Sequence, residues 1–183
     1  MLNRLRLVKA LVPLTIALAF LAGCATYQPA DVTSHYDTIT GLRTDLMDGN
    51  LLDGGTEPRE LIWLNASRVY DNYTDYTYYL ELTYMAREEV GYLEIPPGQN
   101  LVLTINQEII PLAGTGSLNA RKTTSEGLQV EKAIYKVSKL LLQKIAIAHS
   151  VRVAVKGNNG VVEREFNEEN FDKFKRFVTR YAL

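Results

Sequence analysis

The sequence predicts an α+β domain in which several antiparallel strands form a sheet and two helices pack on it. Three observations favour this fold class. Several segments alternate apolar and polar residues with the period of two that is typical of half-buried strands. Clusters of turn-forming residues separate these segments, as in hairpins. Two segments in the second half of the chain have helical character, and helices and strands do not alternate in the way that builds a parallel sheet.

The first predicted elements are a small hairpin and a pair of long strands. The hairpin lies within residues 36–47, where Thr40 and Gly41 give a turn signal. Residues 61–70 and 76–86 are rich in aromatic and β-branched side chains and are separated by a short run of turn formers, so they should pair as antiparallel strands. One face of the second strand is predicted to join the core. Its members are Tyr78, Leu80, Leu82 and Tyr84.

Further strands are predicted at residues 91–95, 101–105 and 128–137. A Pro-Pro-Gly sequence separates the first two of them. Asn106 and Gln107 follow the second and supply a tight hairpin turn into the apolar residues beyond. These segments should extend the antiparallel sheet.

A helix and a hairpin are predicted next. Ser138 is a favourable N-cap for a helix over residues 139–148, which contain no Gly or Pro. Residues 151–155 and 161–166 flank a turn whose Asn-Gly pair, Asn159-Gly160, favours a hairpin with positive φ angles.

The terminal helix is predicted from its N-terminal residues and its apolar stripe. Asn167 can cap it, the helix dipole favours Glu168 and Glu169 in its first turn, and Phe166 can pack on Phe171. Apolar residues at helical spacing form a stripe that should pack on the sheet. The stripe consists of Phe171, Phe174, Phe177, Val178 and Tyr181.

Composition excludes several classes of protein. The 183 residues include 20 basic and 21 acidic side chains, so the net charge is −1, and the field that attracts nucleic acid is missing. A single cysteine rules out an intramolecular disulfide and any CxxC motif. We therefore expect no nucleic-acid partner and no cofactor, and a fold stabilised by its packed core.

The first 23 residues have the features of a targeting segment. A basic start with Arg4, Arg6 and Lys9 precedes an apolar stretch of about a dozen residues, whereas a transmembrane helix needs about 20. The stretch ends at the only cysteine, in the sequence Leu21-Ala22-Gly23-Cys24. This pattern of Leu, a small residue, Gly and Cys is the lipobox, and in these residues the chain resembles a bacterial lipoprotein precursor.

The resemblance implies a lipid anchor and a location. Residues 1–23 would be a signal peptide that is removed, and Cys24 would carry a diacylglycerol and an N-terminal acyl chain. At about 0.8 kcal/mol per buried CH2, two or three chains hold a protein stably on a bilayer. Residue 25 is Ala rather than Asp, which by the enterobacterial sorting rule indicates the outer membrane, with the domain facing the periplasm.

The resemblance also divides the chain. Residues 24–34 would be the lipidated cysteine and a polar tether with a reach of at most about 30 Å. Residues 35–183 would form a single periplasmic α+β domain. Removal of residues 1–23 leaves 17 basic and 21 acidic side chains, so the domain should not bind anionic lipid by charge.

Candidates for catalysis are few. His35 and His149 are the only histidines, neither has a partner nearby in sequence, and we expect both to be structural or solvent-facing. Ser117 lies in a glycine-containing segment that lacks a nucleophile or phosphate-loop motif, so a flexible polar loop is expected there. Glu163 and Glu165 are expected on an exposed strand face. No catalytic or metal-ligating residue is assigned.

The tyrosines are the most unusual feature of the sequence. Six of the 11 lie within residues 70–84. An exposed aromatic row suits a protein or glycan partner, whereas buried tyrosines would only fill the sheet and its core. The candidate binding surface consists of Trp63, Tyr73, Tyr76 and Tyr79.

Three functions remain open from the sequence. The first is a non-catalytic lipoprotein, held on the membrane by its lipid, that binds an envelope protein or polymer. The second is a small envelope hydrolase that uses carboxylates and a histidine. The third is a carrier for an apolar ligand. An exposed aromatic patch indicates the first, converging titratable groups in a cleft the second, and an unfilled apolar cavity the third.

Overall fold

The computed structural model describes residues 32–54, 59–70 and 76–183. Within these ranges the chain has the predicted α+β fold, with antiparallel strands on which two helices pack. In chain order the strands are β1 (Val32–Tyr36), β2 (Arg43–Met47), β3 (Glu60–Tyr70), β4 (Thr77–Arg87), β5 (Gly98–Ile105), β6 (Glu108–Gly114), β7 (Arg121–Thr123), β8 (Leu128–Val137), β9 (Val151–Gly157) and β10 (Gly160–Glu165). The helices are α1 (Lys139–Ala146) and α2 (Glu168–Tyr181), and a single 3-10 turn spans Leu118–Ala120.

The described strands form two sheets. The first has six strands in the order β1-β2-β3-β4-β8-β7, and the second has four in the order β10-β9-β5-β6. Backbone contacts join the sheets at two places. Asp53 bridges to Glu165 on one side, and Thr115 N donates to the main-chain oxygen of Ile134 at 3.1 Å on the other. The core therefore lies between the sheets and the two helices.

Alternation along the central strands sets the core face as the sequence predicts. On β4, Leu80, Leu82 and Tyr84 are buried, and Tyr78 is partly buried against the core. The alternate residues of β4 are half-exposed on the other face. The largest fully buried side chains include Tyr135, Phe174 and Phe177.

Both helices begin with the predicted caps. The Ser138 side chain accepts a hydrogen bond from Leu141 N at 3.1 Å. At the start of α2, Asn167 and Asn170 bond reciprocally in a capping box, which satisfies two backbone donors of the first turn. The Phe166 and Phe171 rings pack with centroids 5.4 Å apart, as predicted.

Two hairpin turns differ in how they reverse the chain. Asn106 and Gln107 have φ angles of 47° and 76°, and this pair makes the predicted tight turn between β5 and β6. The predicted β9–β10 hairpin is present. The prediction that an Asn-Gly pair with positive φ angles makes its turn is wrong. Gly157 pairs with Gly160, so the turn residues are two asparagines at negative φ, and only Gly160 is positive at 148°.

Residues 91–95 do not form the predicted strand. Leu93 and Ile95 are buried, but the segment bonds to side chains and turns rather than to a ladder. Its main-chain oxygens at Leu93 and Glu94 accept from the β9–β10 turn at 3.2 and 3.1 Å. A Cβ on Gly157 would lie 2.0 Å from the Leu93 oxygen, so this contact requires a glycine.

The start of the domain also differs from the predicted division. β1 begins at Val32, inside the segment that the sequence assigns to the tether. Residues 32–36 pair with β2, so the hairpin begins four residues before the predicted range of 36–47. The lipobox and Cys24 lie outside the described residues.

Candidate functional site

The residues of the predicted binding surface lie in two places. Trp63 and Tyr79 occupy the half-exposed, outward-facing positions of β3 and β4. Trp63 pairs with Thr83, so it lies four residues along the sheet from Tyr79, or about 13 Å. Tyr76 instead lines a cleft at the start of β4. Tyr73 lies outside the described residues.

The cleft is an open depression of about 790 Å³ where five elements meet. They are the end of β3, the start of β4, the end of β8, the first residues of α1 and the end of α2. Ser138 ends β8 by capping α1, and this turn brings the first helical residue beside the sheet. The lining side chains are mainly cationic or hydroxyl-bearing. They are Arg68, Tyr76, Thr77, Tyr78, Lys136, Val137, Ser138, Lys139, Tyr181 and Leu183.

Arg68 is the most tightly held cation of the cleft. Its side chain is 12% exposed, and its Cζ lies 3.9 Å from the ring centroid of Tyr76 and 4.4 Å from that of Tyr181. Both distances are within the range of a cation–π contact. Its Nη1 donates to the main-chain oxygen of Tyr181 at 3.2 Å. The guanidinium therefore has a fixed position between two aromatic rings.

A buried carboxylate holds Arg68 from behind. Asp45 on β2 is fully buried and accepts from Arg68 Nε at 2.8 Å and from Ser34 Oγ at 2.5 Å. Arg43 lies 3.3 Å away. Burial alone would raise the pKa of Asp45, but the bonds from Ser34 and Arg68 and the two positive charges outweigh it and lower the pKa. Asp45 is therefore ionised at neutral pH and orients Arg68.

The remaining walls leave the cleft electropositive. The Tyr78 hydroxyl donates to the main-chain oxygen of Tyr181 at 3.0 Å, and Lys139 Nζ donates to that of Leu183 at 2.7 Å. Lys136 is exposed and makes no ion pair within the described ranges. Three cationic side chains line the cleft, and none of the described lining residues has a carboxylate side chain.

A second polar cluster is internal. Glu131 on β8 is fully buried and accepts from the backbone of Glu94 at 2.9 Å and of Ile95 at 3.2 Å. The Ser117 hydroxyl donates to the same carboxylate, and Arg121 Nε lies 3.4 Å from it. Ser117 is thus buried, not part of the expected flexible loop. These bonds fasten residues 91–95 to the sheet, which is a structural role.

The two histidines do not converge with each other or with the cleft. His35 is exposed on β1 in the first sheet, His149 is exposed just before β9 in the second, and neither lines the cleft. Glu163 and Glu165 lie on exposed positions of β10 as expected, and Glu165 pairs with Arg152 at 3.1 Å. With Asp53 they line an open depression of about 490 Å³, in which Arg152 and Arg164 lie beside the carboxylates. Within residues 32–54, 59–70 and 76–183 no three His, Cys, Asp or Glu side chains are grouped so that they could hold a metal ion.

Sequence reasoning missed Arg68, Asp45 and Glu131, although a signal was present. Each occupies a position in its strand that alternation assigns to the core face, such as Arg68 after Ile62, Leu64 and Ala66. A charged residue at such a position needs a partner, because an unpaired buried charge is costly.

The helices of the described part of the chain are too short or too polar to cross a membrane. Comparison with known proteins found no matching family model, no matching curated protein and no matching solved structure.

Proposed function

We propose that this protein is a lipid-anchored, non-catalytic module of the bacterial outer membrane. Its domain faces the periplasm and binds another envelope component in the Arg68 cleft. The observation that carries the proposal is the fixed cation of this cleft. Arg68 lies between two rings and on a buried carboxylate, so it is oriented before any ligand arrives. Such preorganisation lowers the entropic cost of binding.

The anchoring part of the proposal rests on the sequence. Leu21, Ala22 and Gly23 precede Cys24 in the lipobox pattern, after a basic and apolar leader. An anchor at Cys24 would keep the domain beside a bilayer, where a binding module meets envelope polymers and proteins at high local concentration.

Neither alternative has a comparable observation in its favour. A hydrolase would need converging acid–base groups, and the cleft has cations and hydroxyls in the part of its lining that the structure describes. The depression at Asp53, Glu163 and Glu165 brings carboxylates together, but they are exposed, arginines lie beside them, and its described lining includes no histidine. A carrier would hold its ligand between the sheets and helices, but Tyr135, Phe174 and Phe177 occupy that space and are fully buried.

The anchor is tested by replacing the cysteine. Cells that express the wild-type chain or Cys24→Ala are labelled with a fatty acid and fractionated. We expect label and outer-membrane location for the wild type only. A Cys24→Ala protein that remains in the outer-membrane fraction, or a wild type without label, would contradict lipid anchoring.

The binding site is tested by photo-crosslinking in intact cells. A photoreactive residue is placed at Thr77, which lines the cleft, or at Lys132, which is exposed on β8 but does not line it. We expect a specific adduct from position 77 that position 132 does not give. An adduct from position 132 alone would move the site to the outward face of the sheet and refute the cleft.

A further inference from the structure

The charge of the cleft indicates the sign of its ligand. Arg68, Lys136 and Lys139 line it, while the described lining residues include no carboxylate side chain. Asp45 lies behind Arg68, is fully buried and is not part of the lining. The ionised Asp45 compensates the charge of Arg68, so the surplus of positive charge in the cleft comes from Lys136 and Lys139. An anionic group is favoured there and a cationic one is repelled.

The other lining groups indicate a polar ligand. Five of the ten described lining residues carry hydroxyls. Arg68 already covers one face of the Tyr76 ring and one face of the Tyr181 ring. The rings are thus engaged by the protein itself, whereas hydroxyl and ammonium groups suit a ligand that is rich in oxygen atoms.

The size and position of the cleft further limit the classes of ligand that it can bind. A volume of about 790 Å³ exceeds what a single inorganic anion fills and lies in the usual range for small-molecule sites, about 300–1,000 Å³. The cleft lies at the start of β4, which has strands on both sides, so a peptide cannot add to β4 as a further strand.

We propose that the Arg68 cleft binds an acidic carbohydrate, a saccharide unit that carries a phosphate or a carboxylate. The acidic group contacts the cations of the cleft, and the sugar hydroxyls bond to the tyrosine, threonine and serine side chains around it. This inference rests on the proposed function, because it names the ligand class of the same site.

The test is a calorimetric titration of the full chain in detergent micelles with four probes. N-acetylglucosamine 1-phosphate carries a phosphate, glucuronic acid carries a carboxylate, and N-acetylglucosamine is the neutral control. A glutamate-rich hexapeptide represents an acidic ligand without sugar. We expect at least one acidic sugar to bind about tenfold or more tightly than the neutral sugar. The neutral sugar lacks the acidic group that would accept a charged hydrogen bond from the cleft. Binding should weaken as salt is raised.

Two matched variants locate the binding. Lys136→Gln removes an exposed cation of the lining and should weaken the acidic sugar about 5- to 10-fold. Lys132→Gln removes another exposed cation four residues earlier on β8, outside the lining, and should leave the affinity unchanged. Equal binding of the neutral sugar, tighter binding of the peptide, or equal effects of the two variants would overturn the inference.

The outcome also separates this inference from the proposed function. If position 77 crosslinks to a cell component while neither acidic sugar binds, the ligand class is wrong and the binding module stands. If position 77 gives no adduct and neither acidic sugar binds, both proposals fail.

Discussion

Replacement of Asp45 by Asn tests how the cleft is held. The substitution keeps the shape of the side chain but removes the charge that Arg68 Nε contacts at 2.8 Å. Removal of one partner from a buried ion pair costs about 3–5 kcal/mol. Arg68 is 12% exposed and keeps the Tyr181 oxygen and two rings as partners, so we expect the lower end of that range, about 3 kcal/mol. For a domain of this size the melting temperature should fall by about 6–12 °C.

Urea unfolding followed by circular dichroism measures this loss, and three further variants locate its origin. Arg43→Gln removes an ion pair whose arginine is 48% exposed, and it should cost less than about 1 kcal/mol. Arg68→Met and the double variant with Asp45→Asn complete a double-mutant cycle. The double variant should be destabilised by less than the sum of the two single changes, because neither charge is left alone.

The effect of Asp45 should also depend on pH. The folded state lowers the pKa of Asp45, so its contribution is fully present above the unfolded pKa of about 3.9 and is lost as pH falls through the lower folded value. The stability difference between wild type and Asp45→Asn should be constant from pH 7 to about pH 5 and shrink below about pH 4. A difference below about 1 kcal/mol at pH 7, or additive effects in the cycle, would refute the role of Asp45.

Three further predictions concern the fold. Burial and nearby carboxylates raise the pKa of Tyr84 to about 12. The neutral form therefore contributes stability that is fully present below the unfolded pKa of about 10. This stability is lost as pH rises to about 12. Tyrosinate absorbance should show that Tyr84→Phe removes the tyrosine that ionises at about pH 12. An absorbance profile against pH that is the same in wild type and variant would contradict this assignment. Gly157→Ala should lower the free energy of unfolding by about 3 kcal/mol, because its Cβ would lie 2.0 Å from the main chain of Leu93. Gly127→Ala should lower it by about 1 kcal/mol, because φ is 77° there but no described atom lies within 4 Å of the added Cβ. Equal urea midpoints for the two glycine variants would refute the close contact. Glu131→Gln should lower the free energy of unfolding by about 3 kcal/mol, and the exposed control Glu126→Gln by less than about 0.5 kcal/mol. Similar losses in the two variants would mean that Glu131 does not hold residues 91–95 on the sheet.

Local signals in the sequence predicted most of the fold correctly. Ser138 and Asn167 cap the two helices because their side-chain oxygens bond to free backbone N–H groups, an effect confined to one helical turn. The alternation of apolar and polar residues on β4 identified its core face, because this pattern is also local and depends only on neighbours in the strand. Residues 91–95 were wrongly predicted as a strand because their apolar character is real but their hydrogen bonds go to the distant Glu131 carboxylate and the β9–β10 turn.

The cleft could not be predicted in the same way. Arg68, Tyr76 and Tyr181 meet there although Tyr181 is more than 100 residues away in the chain. Tyrosine density indicated the right region, and Tyr76 was among the candidates. Nothing in the spacing showed that α2 would end over β3 and β4, which is what gives Arg68 its second ring and its carbonyl partner.

The most direct test of the central claim is a titration followed by nuclear magnetic resonance. The 15N-labelled full chain in micelles is titrated with N-acetylglucosamine 1-phosphate, and the Arg68 Nε–H signal is observed together with the amides of Thr77, Lys139 and Lys132. We expect saturable shifts for Arg68, Thr77 and Lys139, with Lys132 unmoved. Shifts confined to the outward face around Trp63 and Tyr79, with Arg68 unchanged, would contradict the assignment of the cleft as the binding site.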